Sequence, residues 1–416
     1  MKFGKAIETS ARELPEEWQP YVIQYKLLKK NIKQIVCELE STFQRLNIAL
    51  PADPDEAGGP GPGADKGPET IAYSIEKDSD GVVHPVIRVK VRRQTPPPAQ
   101  DLAADAAPDG AAGPGGHEET QVTTVRLEAD QLFFDQLLEY IGRMHQFGQR
   151  YSGAYCANVS HLGVELAAVT SPYKHDYEVW REIFRLYMDA EVWAHSEGDA
   201  RPMSTSEEGH RRFAKFAQHI ETIGLAQRLR DPMSARVLMG FYKLNLDLAH
   251  MRLLQEMNDQ ATRKIIKKHD KRTHLVAKAQ FPQLIAIDTA TLTRALAQAI
   301  HNNLVGVVPQ VDDHLCPMCL SIAWKPLRLE CRHVFCSRCI VKASRSRIFD
   351  CPVCRARGAV YRASVANLDY ALLNFLKLYF PREIRERQRD IQQDISDDDS
   401  RAVVAAQAQG HHCIVM

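Results

Sequence analysis

Eight residues between positions 316 and 354 have the side chains and the spacing of metal ligands: Cys316, Cys319, Cys331, His333, Cys336, Cys339, Cys351 and Cys354. Thiolate and neutral imidazole are preferred zinc donors, and a Cys-x-x-Cys step lets both sulfurs reach one tetrahedral ion. The turn between the two cysteines also aims backbone N–H groups at the sulfurs. Eight ligands fill two closed tetrahedra and leave no position for a metal-bound water, so the pattern predicts two structural Zn2+ ions rather than a catalytic one. A disulfide framework or scattered core cysteines is the competing reading, and the regular spacing disfavours it.

A second set of residues is cationic. Lys264, Lys267, Lys268 and Lys271, in ATRKIIKKHDKRTH, fall at i, i+3, i+4 and i+7 and gather four ammonium groups on one helical face. Like charges that close repel one another unless an anion neutralises them. Near the start of the chain Lys26, Lys29 and Lys30 take positions i, i+3 and i+4, with Tyr25 one turn before Lys29. On these residues alone, each face also reads as a solvated one, and the later face as a nuclear-localisation patch or a nonspecific nucleic-acid contact.

The elements that carry these residues are mostly helical. Leu28, Ile32, Ile35, Leu39, Phe43 and Leu46 recur at steps of three and four and mark an amphipathic helix, with Pro20 suited to its first turn. Phe134, Leu138, Ile141, Met144 and Tyr151 mark a second long helix, and Val237, Phe241, Leu244, Leu248, Met251 and Leu254 a third. YEVWREIFRLYMDAEVWAH predicts an extra helix before a polar loop at 196–208, and Leu292, Leu296 and Ile300 a short last one. Long helices with one apolar stripe each predict a bundle. His145 and Cys156 are taken as bundle residues.

Residues 51–68 and 94–116 are rich in Pro, Gly and Ala and cannot bury enough apolar surface to order themselves. Between them, TIAYSIEKDSDGVVHPVIRVKV alternates around Asp80-Gly81 and predicts a β-hairpin or a loose ribbon. After the cysteine region, Leu368, Leu372, Phe375, Leu376 and Tyr379 form a helical stripe ending at Pro381, expected to pack on the zinc module or to make a dimer contact. The acidic stretch 394–400, DISDDDS, is expected to be unstructured.

Composition narrows the class. Of ten cysteines seven lie in the metal pattern, leaving Cys37, Cys156 and Cys413. Reduced thiolate ligands point to the cytosol or nucleus. A net charge of +1 excludes a global field that draws the chain to nucleic acid, so any basic site must be local. No run reaches the roughly 18 apolar residues that span a bilayer. The end Cys413-Ile414-Val415-Met416 fits a farnesylation signal. A single lipid on Cys413 would give reversible, peripheral membrane association of an otherwise cytoplasmic chain.

Two family resemblances rest on these residues. The single histidine stands fourth among the eight ligands, and eleven residues separate both Cys319 from Cys331 and Cys339 from Cys351. This order resembles the RING finger of ubiquitin ligases, whereas PHD fingers place histidine fifth. The resemblance implies that Cys316, Cys319, Cys336 and Cys339 share one zinc and that Cys331, His333, Cys351 and Cys354 share the other. It also implies that Met318, Ile340 and Pro352 touch a ubiquitin-conjugating enzyme, and that Arg355 is the linchpin that bridges this enzyme and ubiquitin. Two positions depart from the pattern: Ala343 stands where tryptophan is frequent, and Arg332 where glycine is.

The opening MKFGK, the interval from Trp18 to Tyr25, IQYKLLKKNI and RKIIKKHDK are similar to SPX domains, which bind inositol polyphosphates and pyrophosphates. On that match Lys2, Tyr25, Lys26, Lys29, Lys30, Lys264, Lys267, Lys268 and Lys271 are the candidate phosphate ligands. The expected architecture is mainly α: an elongated helical-bundle SPX domain at 1–290, carrying a disordered and hairpin insertion at 50–122, then a connecting helix or linker at 291–310. A small zinc-bound α+β RING finger follows at 311–358, then a helical extension at 359–392 and a flexible tail at 393–416. The expected function is a RING-type ubiquitin ligase governed by the inositol ligand in phosphate homeostasis. Its expected partners are a conjugating enzyme, ubiquitin and a protein substrate, phosphate transporters being the class the resemblance implies, and not nucleic acid. The alternative is a non-catalytic adaptor that senses inositol phosphates and carries zinc only as a structural staple.

Overall fold

The structure is a computed structural model that describes residues 3–46, 69–78, 82–93, 119–193, 203–278, 280–281 and 289–409. In chain order the helices are α1 (Phe3–Ala11), α2 (Tyr25–Leu46), α3 (Glu128–Val169), α4 (Tyr177–Asp189), α5 (Ser206–Thr222), α6 (Leu225–Arg228), α7 (Pro232–Thr273), α8 (Thr289–Asn303), α9 (Ser337–Arg345), α10 (Tyr370–Tyr379) and α11 (Pro381–Gln409). The strands are β1 (Glu69–Lys77), β2 (Val83–Arg93), β3 (Glu119–Val125), β4 (Pro326–Arg328) and β5 (Val334–Cys336). Among the described residues no helix is long and apolar enough to cross a membrane. The expected mainly helical fold with a small α+β zinc module is the fold observed.

The chain divides into two compact units. The first comprises residues 1–158, 193–211 and 243–299. In it α2 buries Leu28, Ile32, Ile35, Leu39 and Phe43 and leaves Lys26, Lys29 and Lys30 in solvent, as its periodicity predicts, although Leu46 is exposed. Pro20 is not in this helix: it lies in a separate 3-10 turn, Gln19–Tyr21, and α2 starts at Tyr25. The core of α3 takes Phe133 and Leu137, fully buried, beside Phe134, because this helix is covered on more than the one stripe its spacing suggested.

The insertion forms a three-stranded antiparallel sheet of order β1-β2-β3, with Lys77 opposite Val83 and Ile87 opposite Val125. The hairpin was expected, and the third strand was not. Val86, Ile87 and Val89 are buried, so the hairpin is part of the core and not a loose ribbon. Gln280 clasps β1: its Oε1 accepts from the Ile75 N–H at 2.8 Å and its Nε2 donates to the Tyr73 carbonyl at 3.0 Å.

The second unit comprises residues 159–192, 212–242 and 300–416. On α4 Trp180 packs tilted against Phe184, while Phe184 meets Phe241 and Tyr187 meets Phe216 and Phe241 edge-on. The cysteine region is a small finger: β4 and β5 pair antiparallel and α9 follows directly. Ile322 of the finger shares a cluster with Leu376 and Phe380 of α10 and its end and with Ile384 of α11, so the stripe that ends at Pro381 packs on the finger. Pro381 is not a stop but the first residue of α11, where a missing N–H costs nothing. That helix carries the 394–400 stretch, which was expected to lack structure; helix-forming Gln, Arg and Ala on both sides outweigh its aspartates.

Candidate metal centres and anion-binding face

The eight expected ligands fall into two sets. Cys316, Cys319, Cys336 and Cys339 form one, and Cys331, His333, Cys351 and Cys354 the other, each with its donor atoms within 4.8 Å of one another. Zinc–sulfur bonds of about 2.3 Å place tetrahedral sulfurs about 3.8 Å apart. Cys319 Sγ lies 3.9 Å from Cys336 Sγ, and His333 Nδ1 lies 3.4 Å from Cys331 Sγ. Both sets therefore fit the ion by donor type and spacing. The Cys336 N–H also meets Cys316 Sγ at 3.4 Å. The Cys316 thiol is pushed down to about 4, first by the hydrogen bond from Cys336 and then by the backbone amides of Cys336, Met318 and Cys319. The same hydrogen bond pushes the Cys336 thiol up, and burial pushes Cys339 up, so without the ion a single thiolate is favoured and the cation itself must draw the protons from the others.

Each ligand loop closes on a left-handed residue. Leu320 (φ 53°) donates its N–H to the Cys316 carbonyl and Arg355 (φ 60°) to the Cys351 carbonyl, both at 2.8 Å. Arg332 sits at φ 67°, which accounts for glycine being frequent there: a side chain in this conformation costs about 1 kcal/mol. Met318, Pro352 and Arg355 are exposed, and the Arg355 guanidinium has no partner among the described residues. Ile340 does not extend this surface. It is 4% exposed and packs in the finger's own core, because α9 turns that face inward against Phe335 and Cys339.

The cationic face assembles from three helices. Phe3 of α1 packs edge-on against Tyr25 of α2, with centroids 4.9 Å apart, and Lys264 Nζ of α7 sits 3.6 Å from the centroid of the same Phe3 ring. Lys29 and Arg272 lie close enough to Lys268 to push its pKa down, after burial, which is the larger cause. Lys29, Lys264, Lys268 and Arg272 form no ion pair with a carboxylate among the described residues. Lys26 is different, since Glu8 holds it at 2.6 Å. Lys30, Lys267 and Lys271 are exposed on the same helices without a contact that joins them to the group. Lys2 and Cys413 lie outside the described residues. Arg272, one turn after Lys268 at i+4 and so on the same helical face, continues the repeat but was not among the expected ligands, which were all lysines apart from Tyr25.

His269, inside the KKHDK run, is fully buried behind this face. Its Nε2 meets Asp130 of α3 at 2.8 Å and its Nδ1 meets Asp270 at 3.2 Å, while Phe133 stacks on the ring at 5.2 Å. Tyr73 of β1 donates to the same Asp130 at 2.9 Å. Burial pushes the imidazole down, but the hydrogen bonds and charges of Asp130 and Asp270 outweigh it and raise its pKa to about 9. This charged pair fixes the end of α7 that presents Lys268.

A group that titrates near 9 when folded and near 6.5 when unfolded stabilises fully below about pH 6.5, and its contribution is lost as pH rises through 9. A shift of that size corresponds to roughly 3 kcal/mol. Urea denaturation at pH 6 and pH 9.5 is therefore expected to show a fall in stability of that order in the native chain and a much smaller one in His269→Gln.

Residues 1–228 match the SPX domain family, and residues 316–354 match the zinc finger, C3HC4 type (RING finger) family. A Candida albicans protein named transcriptional regulator of yeast form adherence 3 is 26% identical over 473 residues, covering 94% of this chain and 96% of that protein. An uncharacterized RING finger protein of Schizosaccharomyces pombe is 28% identical over 490 residues, covering 100% of both. The E3 ubiquitin-protein ligase RING1 of Drosophila melanogaster is 41% identical over 70 residues, 17% of this chain and 16% of that protein.

Proposed function

The chain belongs to the SPX domain family and carries a C3HC4 RING finger, and on that premise we propose that it is a RING-type ubiquitin ligase whose output is governed by an inositol polyphosphate or pyrophosphate. The finger holds no nucleophile; its two ligand sets are closed, so zinc supplies rigidity there and not a reactive water. Such a platform acts by proximity and orientation, presenting a ubiquitin-charged conjugating enzyme to a protein substrate. Met318 and Pro352 supply apolar contact for that enzyme. Arg355, whose planar donor fork has no partner among the described residues, bridges enzyme and ubiquitin.

The regulatory half of the reading rests on one observation: Lys29, Lys268 and Arg272 are held together without a counter-ion among the described residues, while Lys26 on the same helix has one. A ligand with several phosphates would relieve that repulsion. Phosphate homeostasis, with phosphate transporters as substrates, is the biological setting this reading adopts by analogy with the family.

Arg355→Ala is expected to lower ubiquitin discharge from a charged conjugating enzyme by about 10- to 100-fold, the effect of losing one or two charge-assisted hydrogen bonds in the reactive arrangement. Zinc content is expected to remain at two per chain. The check is single-turnover discharge to free lysine beside atomic absorption, and an unchanged rate removes the linchpin assignment. Discharge with and without inositol hexakisphosphate tests the regulation.

A further inference from the structure

The helix after the finger places a cation on one of its ligands. On α11, Arg382, Arg385 and Arg389 are exposed, but Arg387 turns inward, one helical turn beyond the buried Ile384. Its Nη2 donates to Cys319 Sγ at 3.4 Å. Its Nε is buried without a partner, and among the described residues no carboxylate pairs with the guanidinium. The contact is answered from the other side. Arg338 of α9, between the ligands Cys336 and Cys339, donates to the Ile391 carbonyl and pairs with Asp394 of α11, each at 3.2 Å.

Charge explains why a cation belongs there. Four thiolates around a divalent ion carry a net −2, whereas three thiolates and a neutral imidazole carry −1. The four-cysteine set is thus the more anionic of the two. It receives Arg387, and the set containing His333 receives no such donor among the described residues.

We propose that Arg387 is an outer partner of the four-cysteine zinc centre, offsetting the excess charge on its thiolates and locating the loop that carries Met318 and Leu320. A hydrogen bond to a bound thiolate lowers its basicity, which slows the protonation that releases the metal. Met318 and Leu320 flank Cys319 and are exposed, so the donor that fixes this sulfur also fixes the apolar rim beside it. Arg387 acts through Cys319 and touches no substrate; it is a positioning residue.

The test compares the full-length chain with Arg387→Met, Arg387→Lys and, as a control on the exposed side of the helix, Arg385→Met. Each is loaded with zinc and mixed with the chromophoric chelator pyridylazoresorcinol. Arg387→Met is expected to release one of its two equivalents faster by about 10- to 100-fold, the usual effect of removing an outer partner, with the other equivalent unchanged. Arg387→Lys is expected to fall between, and Arg385→Met to match the native chain. Cobalt-loaded protein identifies the labile centre, because four-sulfur and three-sulfur coordination have different visible spectra. Arg387→Met that fills only the His333 set from the outset also supports the proposal. Two equivalents leaving at native rates, both leaving faster together, or both centres failing to load would overturn it.

A second arm rests on the ligase reading above. Arg387→Met is expected to raise the apparent KM for the charged conjugating enzyme several-fold with kcat nearly unchanged, and an unchanged KM would overturn the positioning role. If the native chain supports no discharge at all, the ligase reading fails while the metal-release result still decides the role of Arg387.

Discussion

Exchanging Lys29, Lys264 and Lys268 together for alanine is expected to weaken binding of inositol hexakisphosphate by about a thousandfold. A charge-assisted hydrogen bond contributes about 1.5–3 kcal/mol, so three give at least about 4.5 kcal/mol, and each 1.4 kcal/mol is tenfold. The lower figure applies because these ammonium groups face solvent, where water screens them. The fold should survive: the three lysines line the outer faces of α2 and α7, and the Lys264 contact with Phe3 is worth only about 1 kcal/mol. Calorimetry at two salt concentrations checks this, and equal affinities would reject the anion site. Lys26→Ala is the informative companion. Its ammonium already has Glu8, so its loss is expected to weaken binding far less.

Removal of zinc is the second large effect. Twelve residues form the finger's buried core, and four of them, Cys316, Cys336, Cys339 and Cys351, are ligands. Without the ions a third of that core becomes thiol groups that no longer cohere, and structural zinc contributes on the order of 10 kcal/mol of folding free energy. Cys351→Ser, or excess chelator, is therefore expected to unfold residues 316–354 and abolish discharge. The first unit, whose core is built of helix-borne apolar side chains, should keep its helical circular dichroism. Full discharge activity in metal-free protein would contradict the closed-centre assignment.

Much of this was legible in the sequence because local spacing fixes it. The ligand order around His333 resembled a RING finger, and that resemblance implied the two sets, while the three–four repeat of Leu28 to Phe43 fixed which side of α2 faces water. What escaped depends on partners far along the chain. His269 reads as one more residue of a basic run until Asp130, 139 positions earlier, is placed against it. Arg387 reads as a solvated helix residue until Cys319, 68 positions away, is seen beneath it. Ile340 failed in the opposite sense: an apolar residue one step after a ligand carries no mark of whether α9 turns it outward or into the core. Glu8 likewise removes Lys26 from the free cations through a tertiary contact that no periodicity encodes.

The grip of Gln280 on β1 has a consequence for how the chain behaves in company. A strand at the margin of a sheet offers unsatisfied amides and carbonyls to any neighbour able to extend it, which is how sheets recruit copies of themselves. By taking up the Ile75 amide and the Tyr73 carbonyl, one glutamine side chain stands in for the missing next strand. The middle of that margin is thereby withdrawn from an added strand, which would first have to displace the glutamine.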